Sequence, residues 1–210
     1  MKQIEKMLLL SISFMCLLLA GRMLYTQSLT YVFLAWNTFL ALIPLMMSRR
    51  LKPGEKLHWR NILKLAGWLL FFPNAPYLLT DLFHFHSAPP VPVWYDLFLL
   101  STAAWNGLWL GMISLMRVEQ FLAGCLTSRP VYLCLGAASL LCGYGIYIGR
   151  FLRFNSWDVF TAPYALLQNM AGHFIHPFHH AEVWAFTALF AMMFGLFYYT
   201  LKMLRSSALC

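Results

Sequence analysis

Between Arg129 and Arg150 the chain runs from Pro130 to Gly149 without a charged side chain or a histidine. A run of that length crosses the roughly 30 Å of bilayer hydrocarbon as an α-helix rising about 1.5 Å per residue. Backbone polar groups at that depth need partners within the protein, which a helix supplies within its own segment. No two-residue alternation marks these runs, so they read as helices. Six stretches meet the length requirement, approximately residues 7–25, 30–47, 61–80, 97–116, 131–149 and 178–201. Composition agrees, with 61% hydrophobic and 10% charged residues against the about 25% charged of a soluble domain. The expected fold class is all-α, a polytopic membrane protein forming a six-transmembrane-helix bundle. Residues 1–210 read as a single integral membrane domain without repeats or low-complexity tracts. The basic start and apolar run of MKQIEKMLLLSISFMCLLLAG resemble a signal peptide. The run has transmembrane length and lacks a small-x-small cleavage site, so it reads as a retained first helix.

The 15 Lys and Arg residues are divided unevenly by this map. Twelve fall on one side of the bilayer, whereas Arg22, Arg150 and Arg153 fall on the other. The bias places both termini in the cytoplasm. It also accounts for the net charge of +8 without a nucleic-acid partner, because no basic patch is interleaved with stacking aromatics. The basic loop SRRLKPGEKLHWR faces anionic headgroups in this reading. Five cysteines without a CxxC argue against a disulfide framework or a zinc knuckle. Six of seven histidines and four of seven acids lie on the extracytoplasmic side, and that face is where chemistry is expected.

The third span reads WLLFFPNAPYLLTDLFHFH. Pro73 and Pro76 each remove a backbone donor and predict a break near Phe72, a feature used in transporter sites and equally compatible with a plain kink. Asn74 and Tyr77 flank the break. Beyond it Asp81 and His84 share a helical face at a spacing of three, with His86 two residues further. Carboxylate with imidazole supports acid/base chemistry or a divalent metal, while Trp94 and Tyr95 fit either a ligand site or an interfacial aromatic belt. Asp96 opens the fourth span, and Asn106 lies within it, as a ligand group or an interhelical hydrogen-bonding residue like Asn37. GxxxG pairs at Gly107/Gly111 and Gly145/Gly149 read as close helix packing.

RFLRFNSWD follows the fifth span, setting Arg150, Arg153, Asn155, Ser156, Trp157 and Asp158 within nine positions. Guanidinium forks suit phosphate or carboxylate, or they snorkel to headgroups. In the connector that follows, TAPYALLQNMAG predicts a short extracytoplasmic interfacial helix. Thr161 or Ala162 precedes Pro163 at its start, Gly172 is its stop, and Leu166, Leu167 and Met170 lie on the membrane surface. HFIHPFHH then predicts Pro177 as the first residue of the sixth span and His180 in its first turn, with His84 and His180 as candidate metal ligands.

The segments FFPNAPYLLTDLFH, VPVWYDLFLL, AWNGL and GIYIGRFLRFNSWD, with a histidine near the start of the last span, resemble the DUF1361 family of bacterial integral membrane proteins. The resemblance covers roughly residues 30–200. Phe154 stands where the family pattern has tryptophan, and either His179 or His180 matches its histidine. The resemblance implies a bacterial cytoplasmic (inner) membrane protein and supports the fold and the candidate residues. It implies no reaction, because the family has no established activity.

These features converge on an expected polar pocket at the extracytoplasmic face. Asp81, His84, Asp96 and Asp158 are its candidate catalytic groups. Asn74, Tyr77, Trp94, Tyr95, Asn106, Arg150, Arg153, Asn155, Ser156 and Trp157 are its candidate binding groups. A metal-assisted enzyme acting on an anionic lipid or lipid-linked substrate, a small-solute or ion transporter, and a structural membrane subunit all fit. GxSxG, HExxH, a Walker loop and the lipid-phosphatase signature are absent from the sequence, so no named mechanism follows. Membrane lipids are the expected partners, and the oligomeric state is open.

Overall fold

Each of the six apolar runs is helical in the computed structural model, which describes residues 2–85 and 90–207. His86 and Cys210 lie outside the described residues. In chain order the elements are α1 (Lys2–Thr26), α2 (Phe33–Ser48), α3 (Trp59–Phe71), α4 (Asn74–Tyr77), a 3-10 segment (Leu78–His84), α5 (Val93–Ala123), α6 (Ser128–Phe151), α7 (Asp158–Thr161), α8 (Pro163–Ile175) and α9 (Ala181–Ser207). No strand occurs among the described residues. Five stretches are long and apolar enough to cross a membrane: Gln3–Thr26, Trp59–His84, Val93–Ala123, Ser128–Phe151 and Ala181–Leu204. The expected second span is a shorter apolar helix of 16 residues. The chain is thus a multi-pass helical membrane protein. It divides into two compact units, Met1–Val118 and Glu119–Cys210.

The first unit is built around an apolar cluster that includes Met15, Leu34, Ala41, Ala75, Leu78, Leu99, Ala103 and Leu110. The opposite face of α1 leaves Leu9, Leu10, Leu17 and Leu24 exposed, where only lipid tails cover such side chains at no cost. The third span departs from α-helix as its prolines require. Hydrogen bonding of α3 ends with Phe72 N–H on Trp68 O at 2.8 Å, and the next donors reach only to Phe72 and Pro73. Asn74 Nδ2 donates to Phe71 O at 3.1 Å, and Thr80 Oγ1 donates to Tyr77 O at 2.7 Å. Side chains thereby add hydrogen bonds to carbonyls beside the interruption. Gly107 of α5 packs on this stretch. A Cβ there would overlap the Ala75 carbonyl oxygen and lie 2.6 Å from Leu78 Cβ.

The second unit centres on Tyr144, Tyr147 and Ile148 of α6 with Val183 of α9, against which Leu166 and Met170 of α8 pack. Two of the three residues expected on the membrane surface therefore face protein, and Leu167 alone is exposed. Gly172 does not end α8, which continues to Ile175. The next residue, His173, is buried and bonded to Tyr144, a tertiary contact that outweighs glycine's helix-stopping tendency. Nor does Pro177 begin the last helix. His179 N–H and His180 N–H both donate to His176 O, closing a turn that places His180 before α9 and not in its first turn.

Candidate functional site

One group of polar side chains in the first unit lies at the end where α1 finishes and α5 begins. Past Pro76 the chain winds as a 3-10 helix for seven residues, long for that form. Three residues per turn set Asp81 directly beneath His84. Asp81 is fully buried and accepts a hydrogen bond from Asn37 Nδ2 at 2.9 Å. His84 Nδ1 stands 4.0 Å from Asp81 Oδ1, and the imidazole side chain is 43% exposed. Phe33 supports the ring at a centroid distance of 4.8 Å. A sheltered carboxylate thus stands near one nitrogen of a half-open imidazole at 4.0 Å, longer than a hydrogen bond, and these are two group types that acid/base chemistry employs.

Beside this pair lies a second buried charge system. Arg22 Nε donates to Asp96 Oδ1 at 2.6 Å, and Arg22 Nη2 donates to Asp96 Oδ2 at 3.0 Å. Both side chains are at most 3% exposed. The guanidinium also lies 4.4 Å from the ring centre of Tyr31, whose hydroxyl donates to the His84 carbonyl at 3.2 Å. One connected path therefore runs from Asp96 through Arg22 and Tyr31 to the backbone of His84. Tyr95 takes part structurally, its hydroxyl donating to Leu18 O at 2.8 Å, while Trp94 is exposed on the same turn. Asn74 and Tyr77 are half-buried beside the interruption. Asn106 is fully buried on the core face of α5, and neither atom of its amide meets a hydrogen-bond partner.

The second unit places its candidates in two groups. Asp158 accepts from Asn155 N–H at 2.6 Å and from Thr161 Oγ1 at 2.8 Å. Those donors, the Asn155 backbone first, hold its carboxyl below the ordinary aspartate value. Asp158 therefore closes its own loop, with Asn155 as partner. Ser156 and Trp157 are half-buried within that loop. Arg153, two residues past the end of α6, lies in the left-handed region at φ 60, a conformation that non-glycine residues adopt at a cost. Its side chain is exposed, and Arg150 is half-buried one turn earlier. The other group surrounds α8. Tyr144 Oη lies 3.0 Å from His173 Nδ1, His173 and His180 rings stand 4.9 Å apart, and Tyr147 Oη donates to Glu182 at 3.0 Å. Burial, with His180 close by, holds His173 below the ordinary imidazole value.

The sequence pointed to Asp81 with His84 because they lie three residues apart, and to Asn155 and Asp158 because they belong to the dense polar stretch RFLRFNSWD. It missed Arg22 and Tyr31 as parts of the first cluster and His173, Tyr144 and Glu182 as parts of the second. The available signal was Arg22 itself, a lone arginine near the end of a span on the arginine-poor side. Among the described residues no three His, Cys, Asp or Glu side chains come together to hold a metal ion. The described cysteines, Cys16, Cys125, Cys134 and Cys142, are free thiols.

A family model described as a protein of unknown function, DUF1361, matches residues 36–197. No curated protein and no solved structure matches the chain.

Proposed function

The chain belongs to the DUF1361 family of proteins of unknown function, and on that footing we propose that Asp81 and His84 form an acid/base centre at the extracytoplasmic rim of a cytoplasmic membrane. The substrate class is the polar headgroup of a lipid or lipid-linked molecule. One observation carries the reading: a fully buried carboxylate, held by Asn37, is aligned one 3-10 turn below a half-exposed imidazole. In the proposed step His84 takes the proton of a water or substrate hydroxyl as that oxygen attacks the headgroup. Asp81 stabilises the imidazolium, and the proton then passes to the leaving oxygen. A separation of 4.0 Å leaves room to tighten when the ring becomes charged, as such pairs do on substrate binding. Arg22, Asp96 and Tyr31 act as positioning residues, because Tyr31 ties the buried ion pair to the His84 carbonyl.

Access from the membrane supports a lipid substrate. Phe83 and Phe85 flank His84, and Phe83, Trp94 and Phe98 are exposed apolar side chains that acyl chains or isoprenoid tails can cover. The interruption of the third span at Phe72 and Pro73 favours one second reading, a transporter whose site uses the irregular backbone.

Incubating the purified full-length protein with a total polar lipid extract and following every lipid species by mass spectrometry separates the two. Acid/base catalysis predicts a species consumed by the wild type and spared by His84→Ala and Asp81→Asn, with rates falling by about 10²–10⁴. Lipid profiles identical for wild type and His84→Ala would overturn the enzymatic reading, and solute uptake into sealed vesicles would then support transport.

A further inference from the structure

α8 carries two apolar faces, and only one of them is used inside the second unit. Leu166, Met170 and His173 face the α6/α9 cluster, which fixes the helix against rotation. The other stripe, Tyr164, Leu167 and Phe174, continues into Phe178 of the following turn, and these four side chains are between 60% and 95% exposed. The spacing of three and seven residues keeps Tyr164, Leu167 and Phe174 on one side of α8, and Phe178 is exposed in the turn beyond it. Both ends of the segment join helices that cross the membrane, Ser128–Phe151 and Ala181–Leu204, so its height is that of the headgroups and upper acyl chains. Charge then selects the kind of lipid. Arg150 and the exposed Arg153 stand at the α6 end. The carboxylates of Asp158 and Glu182 are held on neutral donors, Asn155 and Thr161 for the first and Tyr147 for the second.

We propose that the outer stripe of α8, with Arg153, is a docking surface for anionic phospholipid. Tyr164, Leu167 and Phe174 take the acyl chain and the Arg153 guanidinium takes the headgroup phosphate. A helix apolar on its outer face with basic residues at its margin lies in the interfacial plane of a bilayer. The left-handed backbone at Arg153 helps separate charge from conformation in a test, since Arg153→Gly suits that backbone and removes the side chain with its charge without adding strain. This surface is independent of the Asp81–His84 centre and stands or falls without it.

A photoreactive benzoylphenylalanine replacing Leu167 in the full-length protein, reconstituted in vesicles of equimolar phosphatidylcholine and phosphatidylglycerol, reads the occupant directly. The expected product on illumination is a covalent phospholipid adduct. Phosphatidylglycerol should be enriched in it roughly fivefold over phosphatidylcholine, the factor that one basic residue at an anionic surface contributes. Arg153→Gly should keep the adduct and return the two lipids to equal capture. The same probe at Asn169, on another side of the helix, should give much less adduct, and a probe at Tyr164 repeats the test should the first variant fail to fold. A covalent dimer in place of the lipid adduct would show a second copy on this face and overturn the proposal. Absence of adduct at both 164 and 167, or an enrichment that survives Arg153→Gly, would overturn it as well.

Discussion

Asp96 and Asp81 are both buried acids in one unit, yet their neighbours fit them for different tasks. Asp96 meets the guanidinium fork of Arg22 with both oxygens, so each charge is compensated where water is excluded. Removing one partner strands the other. Asp96→Asn should therefore cost about 3–5 kcal/mol of stability, whereas the double replacement Arg22→Met with Asp96→Leu should cost much less. Thermal unfolding in detergent, followed by tryptophan fluorescence, would show it as a large drop in Tm for the single variant only. Asp81→Asn keeps a group able to meet the Asn37 amide and should change stability by about 1 kcal/mol or less, so its activity loss can be read without a folding defect. Sequence spacing exposed the Asp81–His84 pair because the partners are three residues apart. The Arg22–Asp96 pair bridges 74 positions, and no local pattern announces a contact of that range. RFLRFNSWD drew attention by its density of polar groups, and much of that density is spent on the loop's own hydrogen bonds around Asp158.

At the scale of elements, the third span and α8 show where sequence reasoning holds and where it stops. Two prolines made the interruption of the third span legible, since a missing donor is a local fact. That the chain would continue as seven residues of 3-10 helix was not legible, because the form is settled by what packs on it, including α5 at Gly107. Gly107→Ala should thus destabilise the protein by about 1–3 kcal/mol, despite alanine's better helix propensity. Gly136→Ala, where a Cβ meets nothing within 4 Å, should stabilise by up to about 1 kcal/mol. Equal effects in thermal melts would refute the close approach at Gly107. For α8, the proline start was readable and the true end was not, because His173 is drawn inward by Tyr144. With its value held down by burial beside Tyr144, Tyr147 and His180, His173 binds fewer protons in the fold than in the unfolded chain. Docking of α8 is therefore at full strength above the ordinary imidazole value, about 6.5, and weakens as pH falls from there toward the depressed folded value. The protection factors of residues 163–175 in hydrogen exchange, which allow for the intrinsic slowing of exchange at low pH, should fall on acidification through that window in the wild type and not in His173→Phe.

The whole molecule turns on whether the short helix α2 is a crossing. Lys and Arg counts alone place both ends on one side only if the number of crossings is even, and α2 has just 16 residues. The first unit supplies an independent measure of its reach. At one end Glu5 of α1 is paired with Arg49 at the end of α2, at 2.8 Å, and with Arg117 of α5. At the other end Arg22 of α1 lies against Tyr31, just before α2 begins. Midway, Thr38 of α2 meets Met15 of α1 at 3.6 Å. α2 with its flanking residues therefore covers the same height as α1 from Glu5 to Arg22, about 26 Å at the standard helical rise. That distance is close to the hydrocarbon thickness, and a modest mismatch costs little. The expected topology is six crossings, with both termini and the basic loop around Gly54 in the cytoplasm and the Asn155 loop outside. Epitope tags at the two ends, at Gly54 and near Asn155, probed with antibody before and after permeabilisation, decide it. Termini on opposite faces would make α2 a re-entrant helix and remove the reason for assigning His84 to the extracytoplasmic rim.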